Sequence, residues 1–485
     1  MSQFIGRESE LAQLKEIIML EKSAICVVYG RRRVGKSELI REATKGARVI
    51  FIEGLENQSK QAQISNFLGQ LKLQCRADLS NPNPSTWREA LLNLLPFVQD
   101  DPERRGSVIV FDEFQWLANY RHELVSDLKM VWEQYLSRQG KVTLILCGSV
   151  ASFMISKVIK SSALYGRTDS IIHLQPFKLE DTARLLSNRC ADEVLEAQML
   201  VGGIPKYLEL LSSFPSVRLA MQQLGFTADG YFVEEYQRIF VSHFGKQALY
   251  RKVIEVLASH PYGLERKQLL RLSKAKEGGS FTKVLENLEA AGFVYSFRPL
   301  DCPENSKLQR FSVRDPYLKL YFSFIKPNLK KIKTASKDLF LQLMQTSSYL
   351  GWRGVAFENL CYDHAHAIAG MLGFSGIEYS FGPFYRRGEG LQAGVQIDLA
   401  FDRADNVISL CEMKYTEAPV GVEVIQHVQK KVEHLSSFSR KTIQKVLITK
   451  SPATKELQQR GYFYKIISAE SLIAGRQGLS PKPLG

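Results

Sequence analysis

The octapeptide GRRRVGKS, residues 30–37, limits the folds open to this chain more than any other feature. It fits G-x-x-x-x-G-K-[ST], follows the apolar run AICVVY (24–29) and precedes the helical stretch ELIREAT. A glycine-rich turn between a buried strand and a helix points backbone N–H groups inward, and the helix N-terminus adds its positive end. Such a turn suits phosphate. Gly30, Arg31, Arg32, Arg33, Val34 and Gly35 would form the cradle. Lys36 would reach the β- and γ-phosphates, and the Ser37 hydroxyl can ligate Mg2+. ATP with Mg2+ is the expected cofactor pair.

Further buried-type strands are VIFIE (49–53), SVIVF (107–111), TLILC (143–147) and SIIHL (170–174). Helical patterns between most of them predict a parallel sheet covered on both faces. VIVFDEF (108–114) runs four apolar residues into two acids, which are costly to bury. Asp112 is placed to hold Mg2+ through its water shell, and Glu113 to orient or deprotonate a water attacking the γ-phosphate. Ser149, closing TLILCGS, could contact the γ-phosphate or that water; a simple turn serine is the alternative. Arg167 in LYGR could act as an arginine finger in cis or in trans, or be a surface or salt-bridged arginine.

FIGRE (4–8), GRRRVGKS, FDE, CGS, YGR and GGIPKYL (202–208) together resemble the archaeal-type P-loop ATPases, relatives of the AAA+ and STAND NTPases. The resemblance covers about residues 1–240. It implies an extra strand between the two Walker strands, here VIFIE, and a helical lid whose GGIP turn approaches the nucleotide through Pro205. It also implies that Ile5, Gly6 and Arg7 lie near the adenine. Members often continue into a winged helix and a nuclease-like domain, and the order of elements after residue 245 fits that plan. ALYRKVIEVLAS, ERKQLLRLSK and SFTKVLENLEAAG read as three helices, and FVYSF and LQRFSV as a two-stranded wing.

Charge bears on the partner. A net charge of +14 favours polyanions, nucleic acid first and anionic membrane second, so DNA is the expected partner. Residues 245–300 carry ten Lys and Arg against five Glu, yet the third helix, the one that would read a groove, holds two Glu and only Lys283. DNA contact and packing between domains both stay open there. KPNLKKIKTASK (326–337) has five Lys and no acid, and reads as a linker or a phosphate-contacting stretch. Seven Cys without a CxxC predict a reducing compartment, with neither a disulfide framework nor a zinc cluster. MSQFIGRESE is no signal peptide and no apolar run approaches the roughly 20 residues of a membrane span, so a cytoplasmic protein is expected.

VQIDLAFDRADNVISLCEMKY (395–415) reads as a hairpin about RADN. Alternation puts Ile408, Leu410, Glu412 and Lys414 on one face, and Val407, Ser409, Cys411 and Met413 on the other, with Asp398 on the partner strand. Two carboxylates can hold a divalent ion, and Lys414 can position or activate a water or stabilise phosphoryl charge. The pattern D-x13-E-x-K resembles the PD-(D/E)xK nuclease core. That resemblance implies an upstream acid at Glu358, in GWRGVAFENL, and a supporting Gln at Gln426; the family's Pro before the Asp is Ile397 here. A half-solvated strand face is the alternative. So is a retained nuclease fold with little activity, used for dimerisation or for clamping DNA. His364 and His366 stand two apart on a helix, do not face each other, and read as structural.

The expected protein is therefore α/β: a P-loop ATPase with a parallel sheet (1–177) and helical lid (178–244), a winged helix (245–325), a basic linker (326–337) and a C-terminal α/β restriction-endonuclease-like domain (338–485). Expected catalytic residues are Glu113, Arg167, Asp398, Glu412 and Lys414. Gly30 to Ser37, Asp112, Ser149 and Pro205 would meet the nucleotide, and Ser37, Asp112, Glu358, Asp398 and Glu412 would meet metal. The competing expectation is a STAND-like nucleotide-controlled switch whose last domain is an inactive interaction or DNA-gripping module. Self-association is left open.

Overall fold

Runs of Val, Ile and Leu that are apolar at every position form strands where both faces of a sheet are covered. In the computed structural model of the chain, β1 (Ala24–Gly30), β2 (Arg48–Glu53), β3 (Ser107–Asp112), β4 (Val142–Gly148) and β5 (Ser170–Leu174) make one parallel sheet, ordered β2-β3-β4-β1-β5. Every residue of β3 and β4 is buried. VIFIE lies between the Walker strands along the chain; in the sheet, however, β4 stands between them and β2 is the edge beyond β3.

The structure describes residues 4–75, 79–98, 106–244, 247–300, 302, 309–334, 338–386, 395–435, 438 and 440–474. Lys246, Leu308, residues 335–337 of the lysine-rich stretch and residues 475–485 lie outside them. The chain divides into two units, Met1–Pro176 and Phe177–Gly485.

In the first unit, α1 (Glu8–Ile18) and α2 (Lys36–Ala43) pack together against β1. On α3 (Lys60–Cys75) and α4 (Glu123–Gln134), Ile64, Phe67, Leu71, Leu128 and Val131 join Ile25, Ile50 and Phe111 of the strands in one core.

The second unit opens with α5 (Leu179–Leu185), α6 (Ala191–Val201), α7 (Pro205–Ser212), α8 (Val217–Gly225) and α9 (Tyr231–Phe244). The three helical patterns that follow are α10 (Ala248–Ala258), α11 (Arg266–Ser273) and α12 (Gly279–Ala290). A capping box between Glu265 and Gln268 starts α11. β7 (Val294–Phe297) and β8 (Arg310–Val313) pair antiparallel, and a strand too short to read from sequence, β6 (Leu264–Glu265), joins the free side of β8. The lysine-rich stretch, read as a linker or phosphate-contacting segment, is helical from Lys326 to Lys333, with Ile332 fully buried.

The Thr346 side chain caps α13 (Ser347–Asp363), accepting from Tyr349 N–H at 3.3 Å. β9 (Tyr379–Arg386), β10 (Val395–Arg403), β11 (Val407–Lys414), β12 (Thr442–Thr449) and β13 (Lys465–Ser468) form a mixed sheet, ordered β13-β12-β11-β10-β9. The first three strands run antiparallel. α14 (Glu423–Glu433) lies in the crossover that lets β12 run parallel to β11. Asn406, at φ 62°, supplies the left-handed position of the hairpin turn. Ile408 to Met413 are buried on both faces, since β11 is central. Among the described residues no helix is long and apolar enough to cross a membrane.

Candidate functional site

The phosphate-type loop leaves β1 at Gly30 and enters α2 at Lys36. A Cβ on Gly30 would stand 2.3 Å from the Leu174 carbonyl oxygen, so only glycine lets β1 approach β5 there. Gly35 holds φ 89°, a left-handed turn that aims the start of α2 back at the loop. Lys36 is 5% exposed, and its ammonium donates to the carbonyls of Gly30 (3.1 Å) and Arg31 (2.9 Å). Among the described residues no carboxylate pairs with it. A buried cation resting on carbonyls alone is poorly compensated, and an anion at the loop would complete it. Arg32 lies over the Trp116 ring, 5.8 Å from its centre.

The two acids at the end of β3 play separate parts. Asp112 Oδ2 accepts from Ser37 Oγ at 2.5 Å, which sets two hard oxygen donors side by side. Glu113 takes φ 48°, turning its side chain away from that pair and toward the end of β4. There Glu113 Oε2 accepts from Ser149 Oγ at 2.7 Å and from the Gln115 side-chain amide. The same amide reaches Ser149 Oγ at 3.1 Å, and Ser149 N–H donates back to Gln115 Oε1 at 3.3 Å. Ser149 thus holds the Glu113 carboxylate. Sequence reasoning missed Gln115, which is fully buried; its signal was an amide set between Phe114 and Trp116.

Glu53 faces Asp112 across the β2–β3 register, and its carboxyl is pushed up by burial, then by Asp112 and Glu113. Arg167 is held by Glu133 of α4 and by the Tyr165 carbonyl at 3.3 Å. Arg7 is buried at φ 66°, and its Nη2 donates to the carbonyls of Val34 (3.2 Å) and Gln175 (2.5 Å). It therefore braces the loop from behind. Pro205 belongs to the second unit, where it opens α7 after the Gly202–Gly203 turn.

In the second unit the register Leu399–Cys411 sets Asp398 beside Glu412. Glu412 is 4% exposed, and its two oxygens meet Lys414 and Lys431, each at 2.8 Å. Burial pushes the Glu412 carboxyl up, but Lys431 and Lys414 outweigh it and the net shift is downward. Lys431, on α14, is the residue that sequence reading missed; Gln426 of the same helix is exposed. Asp398 accepts from the Gln396 amide at 2.8 Å, and its carboxyl is raised by burial. Glu358, on α13, lies in the same electrostatic neighbourhood. Burial, and next Asp398, push its carboxyl up to about 8, against the pull of Lys431. Among the described residues no group of three His, Cys, Asp or Glu could hold a metal ion. His364 accepts from Leu179 N–H at 3.3 Å, and His366 pairs with the Tyr379 hydroxyl at 2.6 Å.

The Glu358 shift predicts a pH effect with a definite sign. The unfolded chain releases this proton near the ordinary carboxyl value, the folded chain only near 8. The native state therefore binds more protons in between, and stability falls as pH rises through that window. Glu358→Gln is expected to match wild type at pH 5 and exceed it by roughly 1–3 kcal/mol at pH 8. Thermal denaturation at the two pH values checks this; a variant less stable than wild type at pH 8 would contradict it.

Residues 4–211 match the family described as an ATPase domain predominantly from Archaea. An uncharacterized protein of Methanocaldococcus jannaschii is 25% identical over 419 residues, which are 85% of this chain and 88% of that protein. Among solved structures, the Walker-type ATPase of Pyrococcus abyssi aligns at 20% identity and a TM-score of 0.49, covering 66% of this chain and 96% of its own. The ORC2 protein of Aeropyrum pernix aligns at 16% identity and a TM-score of 0.41, covering 69% and 96%. With its P-loop and the acidic pair at the end of β3, the N-terminal part of this chain has the features of the archaeal-type ATPase domain that residues 4–211 match.

Proposed function

We propose that the chain binds and hydrolyses ATP while associated with DNA, and that its last sheet is a PD-(D/E)xK nuclease-like domain. The observation that carries the first part is Lys36, a buried ammonium lying on two carbonyls at the start of a helix. Phosphate oxygens are the acceptors it suits. Ser37 and Asp112 would hold Mg2+, which supplies charge neutralisation at the phosphates. Glu113, fixed by Ser149 and Gln115, would take the proton of the attacking water or orient that water. Arg167 would have to leave Glu133 to act as a finger.

The DNA part rests on the +14 charge and on α10–α12 with β6–β8, read as a winged helix. The nuclease part rests on Glu358, Asp398, Glu412 and Lys414 sharing one electrostatic neighbourhood. A second reading, that this domain grips DNA or a partner without cutting, is favoured by Glu412: a divalent ion would have to displace an ammonium from either oxygen. Plasmid DNA with Mg2+, with and without ATP, separates the two. Under the nuclease reading Glu412→Ala and Lys414→Ala lose nicking by about a hundredfold or more. Under the second, wild type leaves the plasmid intact in every condition.

A further inference from the structure

Two adjoining pockets of the second unit share Pro261, Tyr262, Val355 and Asn359 in their walls, so they form one continuous groove. One end reaches Glu358 and Asp398. The other reaches Lys319, Lys326 and the two serines of the first turn of α13, Ser347 and Ser348. Tyr262 stands where the pockets meet. The residue is 51% exposed, so its ring is open to a ligand in the groove.

Lys319 is partly buried, lines the groove, and has no carboxylate within ion-pairing distance among the described residues, although Asp363 lines the adjoining pocket with it. Burial pushes its ammonium down to about 8, against the pull of Asp363, Asp315 and Glu358. Keeping a desolvated amine without a counter-ion is costly, and an anionic ligand would relieve it. Lys326, beyond it, pairs with Glu255 and lies over the Phe322 ring at 5.2 Å.

Exposed rings beside cations that can follow a phosphate chain are the two requirements of a single-strand binder. A base inside a duplex is stacked on its neighbours and cannot reach a ring in a pocket wall. We propose that this groove takes one unpaired nucleic-acid strand, with phosphates at Lys319 and the first turn of α13, a base on Tyr262, and the backbone leading to Glu358 and Asp398. The proposal rests on the DNA-associated reading above, and it does not require cleavage.

The test is fluorescence anisotropy on the full chain in EDTA, with labelled oligothymidine, the matching ribo-oligonucleotide and a duplex of equal length. Single-stranded DNA is expected to bind at least about tenfold tighter than duplex, and the ribo-oligonucleotide arm decides between DNA and RNA as the strand. Tyr262→Ala should weaken single-strand binding by about five- to a hundredfold, whereas Tyr262→Phe should keep it. Lys319→Met should weaken it too, and Lys319→Arg should restore it. Should Lys319→Met fail to fold, Tyr262→Ala decides alone, since its ring is half exposed. Duplex binding as tight as single strand, or Tyr262→Ala binding like wild type, overturns the proposal. Strand binding without plasmid cleavage would remove the nuclease reading and leave the groove standing; cleavage without strand preference would do the reverse.

Discussion

Lys36→Ala is expected to weaken ATP binding by at least about a hundredfold, near 3 kcal/mol, read by titration with a fluorescent ATP analogue. The size follows from what the ammonium does. It is buried, it is fixed by two carbonyls 2.9 and 3.1 Å away, and it sits at the first residue of α2. Charge-assisted hydrogen bonds to phosphate contribute roughly 1.5–3 kcal/mol each, and this side chain would make more than one. Folding should survive, because removing a buried cation that lacks a carboxylate partner leaves no opposite charge stranded. Wild-type affinity in a folded Lys36→Ala protein would contradict the site.

The second large effect separates binding from chemistry. Glu113→Gln should bind ATP within a few-fold of wild type yet hydrolyse it about a hundred- to ten-thousandfold more slowly, as for loss of a general base. The carboxylate is held by Ser149 and Gln115 and is not bonded to Ser37, so its loss should leave the Ser37–Asp112 pair untouched. Ser149→Ala should lower kcat by about tenfold with little change in KM, because it loosens the carboxylate, leaving only Gln115 to hold it, without removing it. Phosphate release under saturating ATP measures both. Equal loss of binding and turnover in Glu113→Gln would instead place that residue among the binding groups.

The first unit was legible because each strand is a continuous apolar run: AICVVY, VIFIE and SVIVF fall within a residue or so of β1, β2 and β3. What sequence could not reveal was the lateral order, which placed β4 between the Walker strands. Ser149 was legible as a small polar residue ending β4. Its partner, the Glu113 carboxylate, depends on the left-handed turn at Glu113, a backbone choice that no local pattern marks.

Alternation correctly grouped Glu412 with Lys414. Lys431, arriving from a helix after the hairpin, is a tertiary contact with no spacing rule, and Gln426 drew attention by resemblance although its side chain faces solvent. The groove was invisible for the same reason: Tyr262, Lys319 and Glu358 come from three separate segments.

Arg7 ties two distant carbonyls with one nitrogen: Val34 inside the phosphate loop and Gln175 just past β5. The loop cannot shift by much without either dragging Gln175 or breaking a hydrogen bond. Gln175 is also the penultimate residue of the first unit, next to the point where the chain passes to Phe177. A displacement of the loop is therefore coupled, through two hydrogen bonds, to the last residues of the first unit. The guanidinium acts as a brace whose two ends are the phosphate-type loop and the exit of the parallel sheet.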